Sequence, residues 1–68
     1  YERFFRRLFA QAARRLTADG MCFLEGHEAE LEKCLVWAAD EGLRGLELKA
    51  DLAGRLRYLL AQAPSRPL

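Results

Sequence analysis

Apolar side chains recur every three or four residues along three stretches of this chain, and this spacing is the strongest constraint on its fold. Such spacing places apolar residues on one face of an α-helix, where they can be buried together. The first stretch runs from about residue 2 to residue 18. Asp19 and Gly20 then end it, with Gly20 suited to a left-handed position after the last turn. Its apolar face holds Phe4, Phe5, Leu8, Phe9, Ala12 and Leu16.

Two further stretches follow the same spacing. The second runs from about residue 27 to residue 41 and ends at Gly42, and the third runs from about residue 47 to residue 63 and ends at Pro64. We find no alternation with a period of two, so we predict no β-sheet. The buried stripe of the second helix holds Leu31, Cys34, Leu35 and Ala38. The stripe of the third holds Leu48, Leu52, Leu56, Leu59, Leu60 and Ala63.

These three segments predict an all-α fold, a small three-helix bundle with antiparallel neighbours, because the links between them are short. We predict that residues 1–63 form the single unit and that residues 64–68 form a flexible tail. The apolar link at residues 21–24 is expected to plug the core. The chain opens at Tyr1 without an initiator Met, so we expect it to be a piece of a longer protein. A bundle of 68 residues has a thin core, so a dimer partner or the rest of a parent chain is expected to support it.

Charge is sorted along the chain. Residues 1–20 carry five arginines against two carboxylates, residues 21–42 carry six carboxylates against one lysine, and residues 43–68 carry five basic residues against two carboxylates. This order indicates neutralisation within the molecule or by a partner of the same polarity. Asp40 and Glu41 end the second helix, where the helix dipole disfavours carboxylates, so we expect Arg44 or an arginine of another helix to compensate.

No residue pattern indicates catalysis or metal binding. His27 is the sole histidine and is interpreted as a helix-start residue, since no second histidine or Cys-x2-Cys pair accompanies it. Cys22 and Cys34 are interpreted as reduced thiols used as small apolar residues; a structural bridge and a redox pair are the alternatives. We therefore predict no enzyme, no cofactor and no metal. No apolar run approaches the roughly 20 residues that a membrane span needs, so no membrane partner is expected.

Three residues do not fit the predicted core stripes: Val36, Trp37 and Tyr58. Exposed aromatic residues near arginines are typical of protein interfaces, so these three are the predicted apolar part of a contact surface. The alternative for Trp37 is that it leans over the core edge and covers Met21 or Phe23. The predicted polar part of the surface holds Arg3, Arg7 and Arg14.

The order of features resembles the C-terminal helical region of the effector adaptor (chaperone) family of bacterial type VI secretion systems. The Arg-rich first helix, with Phe4-Phe5-Arg6-Arg7-Leu8, carries part of the resemblance. Ala39-Asp40-Glu41-Gly42-Leu43 resembles the family's turn after an acidic helix, and Asp51-Leu52-Ala53-x-x-Leu56 resembles the start of its last helix. The resemblance implies a non-enzymatic adaptor that helps load a toxin onto the secretion spike.

The combined prediction is a protein–protein interaction module, adaptor-like or chaperone-like, in the cytoplasm of a GC-rich bacterium. Its partner is another protein chain, a missing parent domain or a second copy in a homodimer. One alternative is a nucleic-acid-binding domain that uses the arginines of the first helix, although the net charge is only +1 and the acidic middle segment would repel a duplex. The other alternative is a structural lobe that docks on its own parent domain.

Overall fold

Two helices and three strands make up this domain in the computed structural model, which describes residues 1–65. The predicted all-α three-helix bundle is therefore wrong, because the second half of the chain forms strands that join an antiparallel sheet. Of the predicted tail, residues 66–68 lie outside the described part. The elements in chain order are α1 (Glu2–Arg15), β1 (Met21–Glu25), α2 (Glu28–Asp40), β2 (Arg44–Ala50) and β3 (Leu56–Gln62).

The sheet has the strand order β1-β3-β2, and β3 is antiparallel to both of its neighbours. It follows that β1 and β2 run parallel to each other, with α2 connecting them and β3 inserted between them, which is a split β-α-β unit. Across the sheet, Phe23 of β1 lies beside Leu60 of β3, and Leu60 lies beside Glu47 of β2. β3 is thus the only described strand whose two edges are both paired.

Both helices lie on one face of the sheet, which we call the inner face. The core forms between them: Phe9 of α1, Leu31 and Cys34 of α2, and Leu59 of β3 are each at most 1% exposed. The predicted buried stripe of α2 is confirmed for Leu31, Cys34 and Ala38, whereas Leu35 is only half-buried at the edge of the core. Apolar residues of the three strands complete the core, namely Cys22, Leu24, Leu46, Leu48, Leu59 and Ala61.

Aromatic rings close the end of the core where α1 meets α2. Phe5 is stacked between two rings, with centroids 6.2 Å from Phe9 and 6.1 Å from Trp37. Phe9 is buried as its place on the apolar face predicts. Phe4 shares that predicted face but is 64% exposed, because the narrow layer of core beneath α1 leaves its edge uncovered.

The two helices end differently. After α2, the Leu43 N–H donates to the carbonyl of Ala38 and the Gly42 N–H donates to that of Ala39, which is a Schellman motif. Gly42 has φ +93°, so its predicted role as a helix stop is confirmed. Helix α1 ends at Arg15 with Leu16 extended, and Gly20 does not have a positive φ. The prediction that Gly20 caps α1 is wrong.

The third predicted helix is a β-hairpin whose turn is organised by Asp51. The Asp51 Oδ1 accepts hydrogen bonds from the backbone N–H groups of Ala53 (2.9 Å) and Arg55 (3.0 Å), and the Asp51 N–H donates to the Arg55 carbonyl (2.8 Å). Gly54 completes the turn with φ +85°. An Asx-type turn with a left-handed glycine interrupts any helix, so residues 47–63 divide into two strands.

The link predicted to plug the core is strand β1. Its residues alternate in exposure: Cys22 and Leu24 contribute to the core, whereas Met21, Phe23 and Glu25 are exposed. The prediction that this link is buried is therefore wrong for every second residue, since a strand sends successive side chains to opposite faces.

Candidate functional site

The face of the sheet opposite the helices, which we call the outer face, is covered by no other element of the described chain. Strand alternation and the pairing register decide which side chains it holds, because directly paired residues lie on the same side of a sheet. Those side chains come from all three strands: Met21, Phe23, Glu25, Arg44, Glu47, Lys49, Ala50, Leu56, Tyr58, Leu60 and Gln62.

Two aromatic rings occupy the middle of the outer face. Phe23 and Tyr58 are stacked with centroids 5.2 Å apart and an interplanar angle of 26°. Phe23 pairs directly with Leu60, so Tyr58 is its diagonal neighbour. Phe23 nevertheless remains 62% exposed and Met21 53% exposed. The stack therefore holds both rings in place while leaving much of their surface in contact with water.

The hairpin turn extends this apolar surface. Leu52 is fully exposed, and it lines an open depression of about 590 Å³ together with Tyr58, Ala50, Asp51 and Ala53. Tyr58 thus contacts Phe23 on one side and borders this depression on the other. We call the resulting surface the outer-face patch, and it consists of Met21, Phe23, Leu52, Tyr58 and Leu60.

Few charges border the outer-face patch. Glu25 lies beside Tyr58 in the register, and Lys49 lies on the other side of Tyr58. The Lys49 Nζ is 3.7 Å from the Glu47 Oε2, so its charge is already partly neutralised. Arg44 pairs with Gln62 on the same face, so the outer face has two carboxylates against two cationic groups around an uncharged centre.

Asp51 is held at the end of the patch by the turn. Its pKa is lowered, chiefly by the hydrogen bond from the Arg55 N–H and also by the Arg57 guanidinium, whose Nε is 3.2 Å from Oδ2. Asp51 is therefore ionised at neutral pH, and its carboxylate is directed into the turn. Leu52, at the tip of the hairpin, is therefore exposed to solvent.

The predicted apolar contact residues do not lie together. Tyr58 belongs to the outer face, whereas Val36 and Trp37 belong to α2 on the inner side of the sheet. Val36 is 58% exposed, as its place outside the core stripe predicts. Trp37 is half-buried, packs against the core and stacks on Phe5, so the alternative that it leans over the core edge is confirmed, but it covers neither Met21 nor Phe23.

The predicted polar contact residues lie on α1, where Arg3, Arg7 and Arg14 are all exposed. They are on the helix layer and therefore far from the outer-face patch. A separate arginine neutralises the end of α2: Arg6 is 3.2 Å from Asp40 and 4.0 Å from Glu41. This confirms that an arginine of another helix compensates these carboxylates.

Arg6 also bonds within its own helix, with its Nε 2.8 Å from Glu2. Its pKa is raised, first by that hydrogen bond and then by the one with Asp40. Arg6 is thus a structural link between α1 and α2 rather than a group directed at a ligand.

The residue types that most often serve as nucleophiles, bases or metal ligands, cysteine and histidine, have structural roles in this domain. Cys22 and Cys34 are both free, and burial raises the pKa of each thiol, which disfavours the reactive thiolate. His27 begins α2, as predicted, and its Nδ1 accepts a 3.4 Å hydrogen bond from the Ala29 N–H. Among residues 1–65, no three His, Cys, Asp or Glu side chains are grouped to hold a metal ion, and neither helix is long and apolar enough to span a membrane.

Sequence reasoning missed most of the outer-face patch. Tyr58 was the exception, while Met21, Phe23, Leu52 and Leu60 were assigned to a core plug or to a helical stripe. The available signal was the alternation in Leu46-Glu47-Leu48-Lys49, followed by the turn residues Asp51 and Gly54.

Comparisons with protein-family models, with curated proteins and with solved structures find no match to this chain.

Proposed function

We propose that this domain is a non-enzymatic protein-interaction module that binds an apolar surface of another protein through the outer-face patch. The observation that carries the proposal is the Phe23–Tyr58 stack on a sheet face that no helix covers. Aromatic residues that are already fixed in place lose little conformational freedom on binding and are common among the residues that dominate interface energies. The stack therefore provides a preorganised centre for a contact.

The charges around the patch are balanced. Glu25 and Glu47 stand against Lys49 and Arg44 on this face, so its apolar centre and not a net charge is what it offers a partner. The outer face has no excess of basic groups to attract phosphates, and the arginines of α1 lie on the opposite side of the molecule. The nucleic-acid alternative is therefore less well supported than a protein partner.

The adaptor role implied by the type VI secretion resemblance stays a prediction, and so does a location in the cytoplasm. One of the three segments that carry the resemblance, residues 51–56, is a turn and the start of β3 instead of a helix. The proposed binding mode does not depend on that resemblance, since it is argued from the patch alone.

A peptide library displayed on phage tests the proposal. We expect selection on the wild-type domain to enrich peptides with apolar or aromatic residues. Replacing Tyr58 by serine removes one ring of the stack, so affinity for the enriched peptides should fall by about tenfold or more. Val36→Ser is the matched control, because it removes an exposed apolar side chain from the other side of the sheet and should change affinity by less than about twofold.

Two outcomes would contradict the proposal. One is equal affinity of wild type and Tyr58→Ser for every enriched peptide, as measured by fluorescence anisotropy. The other is tight binding of a labelled single-stranded oligonucleotide that Tyr58→Ser abolishes and that falls steeply with salt, which would assign the patch to nucleic acid instead.

A further inference from the structure

The edge of the sheet formed by β1 has little of the usual protection against pairing with another strand. Natural edge strands carry bulges, prolines or charged side chains that block such pairing. β1 follows a regular register with β3 over all five residues, and Glu25, at its end, is its single charged residue. β2, at the opposite edge, has two irregularities in its register and carries Arg44, Glu47 and Lys49. Only one edge is therefore left suited to pairing.

The backbone groups that β1 offers can be assigned. The Gly26 N–H donates to the Arg57 carbonyl (2.9 Å), and the Gly20 carbonyl accepts from the Ala63 N–H (3.3 Å), so these two residues at the ends of β1 bond toward β3. Hydrogen-bonded and non-hydrogen-bonded pairs alternate along an antiparallel ladder. The N–H and C=O groups of Met21, Phe23 and Glu25 therefore point away from β3, toward the open edge.

We propose that β1 pairs with β1 of a second copy of this chain, antiparallel and centred on Phe23. In this register, Phe23 lies opposite Phe23 of the second copy and Met21 lies opposite Glu25 of the second copy. In this register, the N–H and C=O groups of Met21, Phe23 and Glu25 that point to the open edge pair with the same groups of the second copy. The pairing forms about six hydrogen bonds between the two strands. The two three-stranded sheets then form one continuous sheet.

The side chains that face each other across this edge are compatible, as the backbone groups are. On the inner face, Cys22 meets Leu24 of the second copy, which is a contact between apolar groups. On the outer face, each Glu25 meets a methionine, so no two like charges are opposed across the join. The two outer-face patches become adjacent. The pairing is argued from the edge of β1 and stands whether or not the outer face binds another protein.

Sedimentation equilibrium of the 68-residue chain tests the pairing, with Met21 as the probe of its register. We expect a monomer–dimer equilibrium in the wild type. Met21→Glu places a carboxylate opposite Glu25 at two symmetric positions, so the dimer should dissociate about tenfold more readily. Met21→Lys places an ammonium group there, so the dimer should be as tight as wild type or tighter. The double variant Met21→Glu/Glu25→Lys restores opposite charges and should recover dimerisation.

Val36→Glu is the matched control, since it adds the same charge at an exposed apolar residue of α2 and should leave the dimer unchanged. Circular dichroism of each variant establishes that the monomer is folded. The proposal is overturned if the wild type remains monomeric at a concentration of about 1 mM, far above the Kd of specific protein complexes. It is equally overturned if Met21→Glu and Met21→Lys have the same effect, because that would place the dimer contact elsewhere.

Discussion

Replacing Phe9 by alanine is expected to destabilise this domain by about 3–5 kcal/mol, the range found for large-to-small changes of buried aromatic residues. Phe9 is completely buried and is the side chain through which α1 enters the common core. Its ring also supports Phe5, which in turn stacks on Trp37. A cavity at Phe9 therefore removes contacts with both the sheet and the second helix. Small domains have little stability in reserve, so this loss should move the urea midpoint of Phe9→Ala far toward zero.

Urea unfolding followed by far-ultraviolet circular dichroism measures this effect. Phe4→Ala is the matched control, because it makes the same chemical change earlier in α1 at a ring that is 64% exposed. We expect Phe4→Ala to cost less than about 1 kcal/mol. Phe9→Leu keeps an apolar side chain in the core and gives a folded variant for comparison. Equal losses for Phe9→Ala and Phe4→Ala would contradict the described packing of α1.

Replacing Gly54 by alanine is expected to destabilise the domain by about 1–2 kcal/mol, the cost of forcing a residue with a Cβ into left-handed backbone. Gly54 has φ +85° in the hairpin turn. A Cβ added there would meet no atom within 4 Å, so the cost comes from backbone conformation and not from a clash. If residues 47–63 were instead the helix predicted from the leucine spacing, the same change would stabilise the chain by about 1 kcal/mol. The two structures therefore predict opposite signs.

Thermal unfolding of wild type, Gly54→Ala and Gly54→Asn distinguishes the two structures. Asparagine tolerates left-handed backbone better than alanine, so Gly54→Asn should retain more stability than Gly54→Ala. In a helix the order would be reversed, since alanine is the better helix former. A higher Tm for Gly54→Ala than for wild type would rule out the hairpin.

The helices were predictable because their signal is local. The burial of Leu31, Cys34 and Ala38 and the stop at Gly42 depend on residues close together in the sequence, and both are confirmed. The hairpin was not predicted because the spacing of its leucines is compatible with one helix as well as with two strands. These leucines are Leu48, Leu52, Leu56 and Leu59. The turn residues Asp51 and Gly54 were the local signal that distinguished the two. The pairing of β3 with β1 joins residues about 40 positions apart in sequence, and no local periodicity can indicate such a pairing.

The candidate site was only partly predictable for the same reason. Tyr58 stood out because it lay off the predicted stripe, yet Phe23, its partner in the stack, belonged to a segment interpreted as a buried link. Val36 and Trp37 also lay off their stripe, but the sheet separates them from Tyr58. Which exposed residues share a surface depends on strand pairing, and the pairing had not been predicted.

Nuclear Overhauser effects between α-protons test the central claim, that β3 is a strand paired with β1 in a sheet, most directly. Met21, Phe23 and Glu25 form non-hydrogen-bonded pairs with β3, in which the α-protons of facing residues are close together. We predict strong effects between the α-protons of Phe23 and Leu60 and between those of Glu25 and Tyr58. Sequential amide–amide effects along residues 56–62, with the cross-strand effects missing, would show a helix there and contradict the described fold.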